Sequence, residues 1–203
     1  GIEHERIHLE TSSVLHRQLP IEMIKDNSFF PRCHEVGETP KNEMVAIEGG
    51  KIILGKDKSH HLYGWDNEYG RQELEVASFR TSKFLVSNGE FLDFVLDKGY
   101  ENEEYWDEEG KKFLEFRKAS HPVFWIEEAG KGFRYRAMLE EMDMPLSWPV
   151  DVNYLEAKAF CRWKSEKDNK NYRLLSEAEW YRLYERAGIC LLYTSPSPRD
   201  RYI

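Results

Sequence analysis

The chain has 203 residues, of which 40% are hydrophobic and 14% aromatic, and its formal net charge is −8. This hydrophobic and aromatic content is enough for a packed core and excludes an intrinsically disordered chain. The negative charge and the scattered Lys and Arg residues argue against a protein that binds nucleic acid or an anionic membrane surface, and no apolar run approaches the roughly 20 residues of a transmembrane helix.

The first predicted element is a helix over residues 3–19. This stretch contains neither Gly nor Pro, and Pro20 ends it. A helix turns by about 100° per residue, so His4 and His8 lie on one face. A natural N-terminus rarely begins inside an uncapped helix, so we expect further sequence upstream.

Residues 20–43 are rich in Pro, Gly and Asn and are predicted to be an irregular linker. His34, within it, is predicted to be solvated rather than a metal ligand. The chain has three cysteines, which is an odd number, and they are not spaced as in a metal site: Cys33, Cys161 and Cys190. They are therefore predicted to be reduced thiols in a cytoplasmic protein.

A second predicted domain covers residues 44–189. Residues 45–47 and 52–54 are apolar and flank two glycines, which predicts a β-hairpin, and residues 74–86 have the composition of another strand. A further hairpin is predicted where residues 124–126 and 133–135 flank a Gly-Lys-Gly turn.

Three helices are predicted in this domain from capping-box pairs, in which a polar N-cap residue is followed three residues later by Glu. The pairs are Ser87 with Glu90, Asn153 with Glu156, and Ser176 with Glu179. Gly99 is predicted to close the first of these helices. Short strands mixed with a few helices predict an α+β fold.

His4 and His8 are candidate metal ligands, because two imidazoles one helical turn apart can chelate a transition metal. Packed or solvated rings are the alternative. With Glu5 the pair also matches His-Glu-x-x-His, the zinc metalloprotease motif with Glu5 as general base. The metzincin extension would require Gly and His where Thr11 and Val14 stand.

A thermolysin-like site would need a third, glutamate ligand, for which Glu22 is only a weak candidate, so the protease is a remote alternative. The same residues also read His-x3-His-x-Glu. Glu10 lies roughly 160° around an ideal helix from His8, so it cannot share one metal ion with both histidines. The third ligand is expected on another helix upstream. Glu10 is then predicted to support the ligands, to face substrate, or to be a surface carboxylate.

Residues 4–15 resemble the iron-binding helix of the sulfoxide synthases, and most closely those that form 5-histidylcysteine sulfoxide in ovothiol biosynthesis. Further blocks of the chain resemble the same family in order and spacing. They are residues 54–57, 63–70, 86–92, 148–161 and 177–180.

The resemblance implies an α+β fold in which a truncated C-type-lectin-like domain of the formylglycine-generating-enzyme (sulfatase-modifying-factor) type follows a DinB-like helical bundle. Residues 1–19 would be the last, iron-binding helix of that bundle, residues 20–43 the linker, and residues 44–189 the N-terminal part of the second domain. Residues 190–203 resemble translated adapter sequence, and we predict that they are non-native. Ovothiol-pathway members usually add a methyltransferase.

By the same resemblance, the enzyme uses Fe(II) and O2 to join cysteine sulfur to the imidazole of histidine as a sulfoxide. Iron is held by three histidines, of which His4 and His8 match the second and third. The first ligand, a catalytic Tyr and the substrate-binding residues are expected outside this chain, which by itself is expected to be inactive. One alternative is an ergothioneine-type synthase, which uses trimethylated histidine and another thiol. The other alternative is a non-catalytic C-type-lectin-like module.

Overall fold

The computed structural model describes residues 2–26, 32–61 and 64–187, so the predicted non-native tail at 190–203 lies outside the described residues. The helices are α1 (Ile2–Arg17), α2 (Asn88–Leu96), α3 (Glu108–Arg117), α4 (Tyr154–Asp168) and α5 (Glu177–Ala187). The strands are β1 (Met44–Ile47), β2 (Gly50–Leu54), β3 (Gln72–Val76), β4 (Phe79–Ser82), β5 (Trp125–Glu128), β6 (Gly132–Arg136) and β7 (Glu141–Asp143). The predicted mixture of helices and strands is confirmed. Among the described residues, no helix is both long and apolar enough to span a membrane.

The chain divides into two compact units. The first unit comprises residues 1–41 and 85–172, and the second comprises residues 42–84 and 173–203. Each unit is therefore built from two separate stretches of sequence.

The core of the first unit is a cluster of aromatic side chains contributed mainly by α2, α4 and the loops before α3. Phe94 is fully buried at its centre. The Phe91 and Phe160 rings stack with centroids 5.3 Å apart, and Trp163 meets Phe94 edge-on at 5.7 Å. Aromatic side chains bury large apolar areas, so this cluster is the main source of stability for the unit.

The helix starts that depend on local capping agree with prediction. Ser87 Oγ accepts from the Glu90 N–H at 3.2 Å while Glu90 Oε2 accepts from the Ser87 N–H at 3.2 Å. Asn153 and Glu156 make the same reciprocal pair at the start of α4. Each box satisfies two N–H groups that would otherwise lack a helical partner.

The end of α2 differs from the prediction. The helix stops at Leu96, and it is Lys98, with φ of 61°, that adopts the left-handed conformation. Gly99 follows it and donates its N–H to the Phe94 carbonyl at 2.8 Å. A Cβ on Gly99 would lie 2.0 Å from the Phe94 ring, so glycine is required here for space rather than for backbone conformation.

The first unit also contains a three-stranded antiparallel sheet in the order β5-β6-β7. The predicted hairpin is confirmed as β5 and β6, with Trp125 opposite Tyr135. Two elements of this unit were not predicted: the three-residue strand β7 and the helix α3, whose N-cap Asp107 accepts from the Gly110 N–H at 2.9 Å.

The described residues between 20 and 43 contain one 3-10 helix, Ile21–Met23, and are otherwise irregular, and side-chain hydrogen bonds connect them to the rest of the first unit. The Trp148 indole N–H donates to the Glu35 carbonyl at 2.6 Å, and the Gly37 N–H donates to Ser147 Oγ at 3.0 Å. His34 is exposed, in agreement with its predicted solvation.

In the second unit the predicted hairpin between residues 45–47 and 52–54 is wrong. Strand β1 pairs with β4 and strand β2 pairs with β3, both antiparallel. The two ladders share one register, because Ile47 lies opposite Phe79 and Gly50 lies opposite Val76. Together they form a long ribbon interrupted at residues 48–49 and 77–78, which also divides the strand predicted over 74–86.

Gly49 explains the interruption. A Cβ at this position would lie 2.4 Å from the Val76 carbonyl oxygen, so the two backbones approach each other where only glycine fits. The glycine pair thus bends a strand rather than forming the predicted turn.

Helix α5 packs beside this ribbon and is tied to the same interruption. Arg182 donates from Nε to the Glu48 carbonyl at 2.9 Å and from Nη2 to the Gly49 carbonyl at 2.7 Å. These bonds satisfy carbonyl groups that the ladder leaves without a strand partner. The predicted Ser176–Glu179 cap is confirmed at the start of α5, where Glu179 Oε2 accepts from the Ser176 N–H at 2.8 Å.

Candidate metal centre

His4 and His8 are brought together on α1. Their Nε2 atoms lie 2.7 Å apart, and the ring centroids are 4.4 Å apart with the planes inclined by 77°. Both residues are exposed. The helical spacing thus brings the two Nε2 atoms within hydrogen-bonding distance of each other on one side of the helix.

This convergence fits two ligands of one transition-metal ion. Two imidazole nitrogens at about 2.1 Å from a metal and at right angles to each other lie roughly 3 Å apart. The observed separation of 2.7 Å is close to that value. His4 and His8 are therefore candidate ligands for a transition-metal ion.

The carboxylates considered with the pair do not complete a site. Glu5, Glu10 and Glu22 are exposed. Within residues 2–26, 32–61 and 64–187, no group of three or more His, Cys, Asp or Glu side chains is placed to hold a metal ion. The predicted third ligand from another helix, and the role of Glu10, stay predictions.

A cluster around Arg17, not singled out from the sequence, holds the last turn of α1. Arg17 donates from Nε to the Arg136 carbonyl at 2.9 Å, from Nη1 to Asp151 Oδ2 at 2.9 Å and from Nη2 to the Tyr135 hydroxyl at 2.8 Å. Its guanidinium lies 3.5 Å above the centroid of the Phe124 ring. We call Arg17, Phe124, Tyr135, Arg136 and Asp151 the Arg17 clasp.

The groups of the clasp are electrostatically matched. Burial raises the pKa of the Tyr135 hydroxyl, and the neighbouring Asp151 carboxylate raises it further, while Arg17 opposes the change. The phenol therefore stays protonated and donates to Asp151 Oδ2 at 2.7 Å. Arg136 adds a second link to the end of α1, donating from Nη2 to the Leu19 carbonyl at 3.1 Å. No local sequence pattern predicts the clasp, because Arg17 is more than a hundred residues from each of its other members.

The other buried ionisable groups of the first unit serve the core. Tyr100 donates to Glu156 Oε1 at 2.6 Å, and burial raises the pKa of both groups. Burial also raises the pKa of the Cys161 thiol, which disfavours a reactive thiolate. Cys33 and Cys161 form no disulfide with each other, and Cys190 lies outside the described residues.

The fold is an α+β arrangement, and the helix at its start carries two imidazoles that lie close together. Comparison with known proteins gives the family. The sequence profile of the sulfatase-modifying factor enzyme 1-like domain (FGE-sulfatase) matches residues 30–188. The chain belongs to this family.

Curated relatives include both oxygenases and a protein named as inactive. Hercynine oxygenase of Mycobacterium tuberculosis is 33% identical over 131 residues, which are 64% of this chain and 28% of that protein. Inactive C-alpha-formylglycine-generating enzyme 2 of Mus musculus is 29% identical over 163 residues, covering 72% of this chain and 48% of that protein. Ergothioneine biosynthesis protein 1 of Neurospora crassa is 27% identical over 110 residues, which are 48% of this chain and 12% of that protein.

The chain spans less than a third of the length of the hercynine oxygenases it matches. Helix α1 precedes the region matched by the family profile. The family assignment therefore comes from the domain, and the argument for a metal comes independently from the helix before it.

Proposed function

We propose that this chain is part of a non-haem, Fe(II)- and O2-dependent sulfoxide synthase that joins a thiol sulfur to a histidine-derived imidazole. The observation that carries the proposal is the convergence of His4 Nε2 and His8 Nε2 at 2.7 Å on a helix directly before a sulfatase-modifying-factor domain. The oxygenase names among the relatives support the class of reaction. One relative is named as inactive, and similarity to it does not argue for catalysis. The catalytic part of the proposal therefore rests on the histidine pair.

The balance of the reaction is consistent with O2 as the oxidant. One imidazole C–H bond and one thiol S–H bond are broken, and a C–S bond and an S–O bond are formed. This removes four electrons, which reduce O2 so that one oxygen atom enters the sulfoxide and the other leaves as water. Bound iron would supply open coordination positions for the thiol sulfur and O2, and would lower the pKa of the thiol.

The contribution of this chain is to hold the metal and to fix its place. His4 and His8 donate neutral nitrogens from a helix, which is more rigid than a loop. We propose histidine and cysteine as the substrates, on the resemblance of residues 4–15 to the enzymes that form 5-histidylcysteine sulfoxide. Trimethylated histidine is the second candidate, favoured by the hercynine oxygenases among the relatives.

The metal assignment is tested by anaerobic Fe(II) titration of the full-length protein and its His4→Ala and His8→Ala variants. Each substitution is expected to weaken iron binding by at least about tenfold, because it removes one nitrogen ligand. His16→Ala is the matched control, since His16 is an exposed histidine in the last turn of the same helix. Equal iron affinity in all four proteins would refute the proposal.

The substrate is tested by mass spectrometry of the products from cysteine and O2 with either histidine or trimethylated histidine. A sulfoxide formed from histidine supports the ovothiol-type reaction, and one formed only from trimethylated histidine supports the ergothioneine-type reaction. Iron binding without a sulfoxide from either compound would reject the proposed reaction, in which cysteine is the thiol. Zinc-dependent peptide cleavage abolished by Glu5→Gln would instead establish the metalloprotease.

A further inference from the structure

The half-buried residues of α1, among residues 4–17, all lie in its C-terminal half. Among residues 4–20, only Ser12, Ser13 and Arg17 are half-buried, and the others are exposed. Ser13 and Arg17 are four residues apart and so share a face of the helix. The side of α1 that contacts the unit is thus marked by these residues, and Arg17 is the largest of them.

Arg17 makes an unusually complete set of contacts for a single side chain. Three of its nitrogens each donate a hydrogen bond of 2.8–2.9 Å, and its plane covers the Phe124 ring. Its side chain is only 12% exposed. A guanidinium satisfies this geometry because its donors form a rigid planar fork, whereas a lysine ammonium could not bind all three acceptors and cover the ring.

The histidine pair lies on the opposite side of the helix from Arg17. Arg17 is nine residues from His8, which on an ideal helix is a rotation of about 180° and a rise of about 13 Å. His4 is a further turn away, at a rise of about 20 Å from Arg17. The guanidinium therefore cannot touch a metal held by the pair, and any effect it has on the site must act through the direction of the helix.

A small change in the direction of the helix at Arg17 produces a large displacement of the distant histidines. A tilt of about 5° at Arg17 would move His8 by roughly 1 Å and His4 by more, given the rise per residue of an α-helix. Misplacement by about 1 Å of a group that positions reactants can lower a rate by about a hundredfold. The direction of α1 must therefore be held closely for the proposed reaction.

We infer that Arg17 is a positioning residue that, through the Arg17 clasp, sets where the His4–His8 pair stands relative to the β5–β6 hairpin of the first unit. This inference rests on the proposed function for its catalytic consequence, but the anchoring itself is independent of turnover. The clasp joins α1 to the β5–β6 hairpin through Tyr135 and the Arg136 carbonyl, and to the segment before α4 through Asp151.

The test compares the full-length wild-type protein with Arg17→Gln and Arg17→Lys. Arg71→Gln is the control of equal charge change, since Arg71 is exposed and pairs with Glu73 on the surface. Hydrogen–deuterium exchange is measured for the amides of α1 and, separately, of β5 and β6. Both Arg17 variants are expected to raise exchange in α1 by about tenfold with β5 and β6 unchanged, and the control is expected to match wild type.

Steady-state kinetics supplies the second readout. Arg17→Gln is expected to lower kcat by about 10- to 100-fold while the protein still binds one Fe(II). Arg17→Lys keeps the positive charge but not the planar set of donors, so its kcat is expected to be as low as that of Arg17→Gln. A wild-type kcat in Arg17→Lys would contradict the requirement for a guanidinium. Unchanged α1 exchange, or a rise in α1 exchange only together with β5 and β6, would overturn the positioning role. If the Arg17 variants show faster α1 exchange but the wild-type protein forms no sulfoxide, the proposed function is rejected. The role of Arg17 in anchoring α1 would still be supported.

Discussion

Glu179 offers a sharp test of how the second unit is held together. Its two carboxylate oxygens accept from Arg173 at 2.6 and 2.7 Å, and Oε2 also accepts from the Ser176 N–H and hydroxyl. The Glu179 side chain is only 11% exposed. These bonds, led by the one from Arg173, lower the pKa of the carboxyl from 4.5 to about 2. We predict that Glu179→Gln destabilises the protein in a pH-dependent way.

The magnitude follows from this pKa. At about 1.4 kcal/mol for each pKa unit, the difference between 4.5 and about 2 corresponds to roughly 3 kcal/mol. The Arg173 side chain is 60% exposed, so solvent screening reduces the expected loss to about 1–2 kcal/mol. A carboxyl whose pKa is lowered by folding stabilises the native state above its unfolded-state pKa. That contribution is lost as the pH falls through the native-state pKa, here between about pH 5 and about pH 2.

The assay is urea unfolding followed by tryptophan fluorescence, from about pH 7 down to about pH 3. The free-energy difference between wild type and Glu179→Gln is expected to be largest near neutral pH and to shrink as the carboxyl of the unfolded state becomes protonated below its pKa of 4.5. Glu177→Gln is the matched control, because Glu177 lies in the same first turn of α5 and is exposed. A difference that stays constant over the pH range would refute the assigned pKa and its cause.

Two further substitutions test the aromatic core, both by the same urea measurement. Phe94→Ala is expected to cost about 3–5 kcal/mol because Phe94 is fully buried, whereas Phe116→Ala, at an 84% exposed position, should change stability by less than about 0.5 kcal/mol. Equal losses would contradict the assigned core. Gly99→Ala is expected to cost about 1–3 kcal/mol, since its Cβ would lie 2.0 Å from the Phe94 ring. A neutral result would show that the ring moves aside freely.

Elements specified by neighbouring residues were predictable. The capping pairs at Ser87, Asn153 and Ser176 each involve residues three apart, so their geometry is local. The same holds for α1 and for the convergence of His4 and His8, which follows from helical spacing alone. The exact end of α2 was not predictable, because it depended on the Phe94 ring packing against Gly99.

Strand pairing in the second unit was decided by distant residues. The glycines at 49 and 50 favour a tight turn locally, but β1 and β2 both found partners about thirty and twenty residues later in one shared register. Because the side-chain period of a strand is short, many registers satisfy the same apolar pattern, and only packing selects one. Strand β7, with three residues, carries too little pattern to be recognised from sequence.

The amino-acid sequence by itself determined the α+β composition, the helix starts at Ser87, Asn153 and Ser176, and the two histidines that share a face of α1. The helix starts and the histidine pair each depend on residues within about one helical turn. Only the tertiary structure decided which strands pair and which side chain holds α1. Arg17 meets Tyr135, Arg136 and Asp151 across more than a hundred residues of chain. Such contacts form only when the core has packed, so no local pattern contains them.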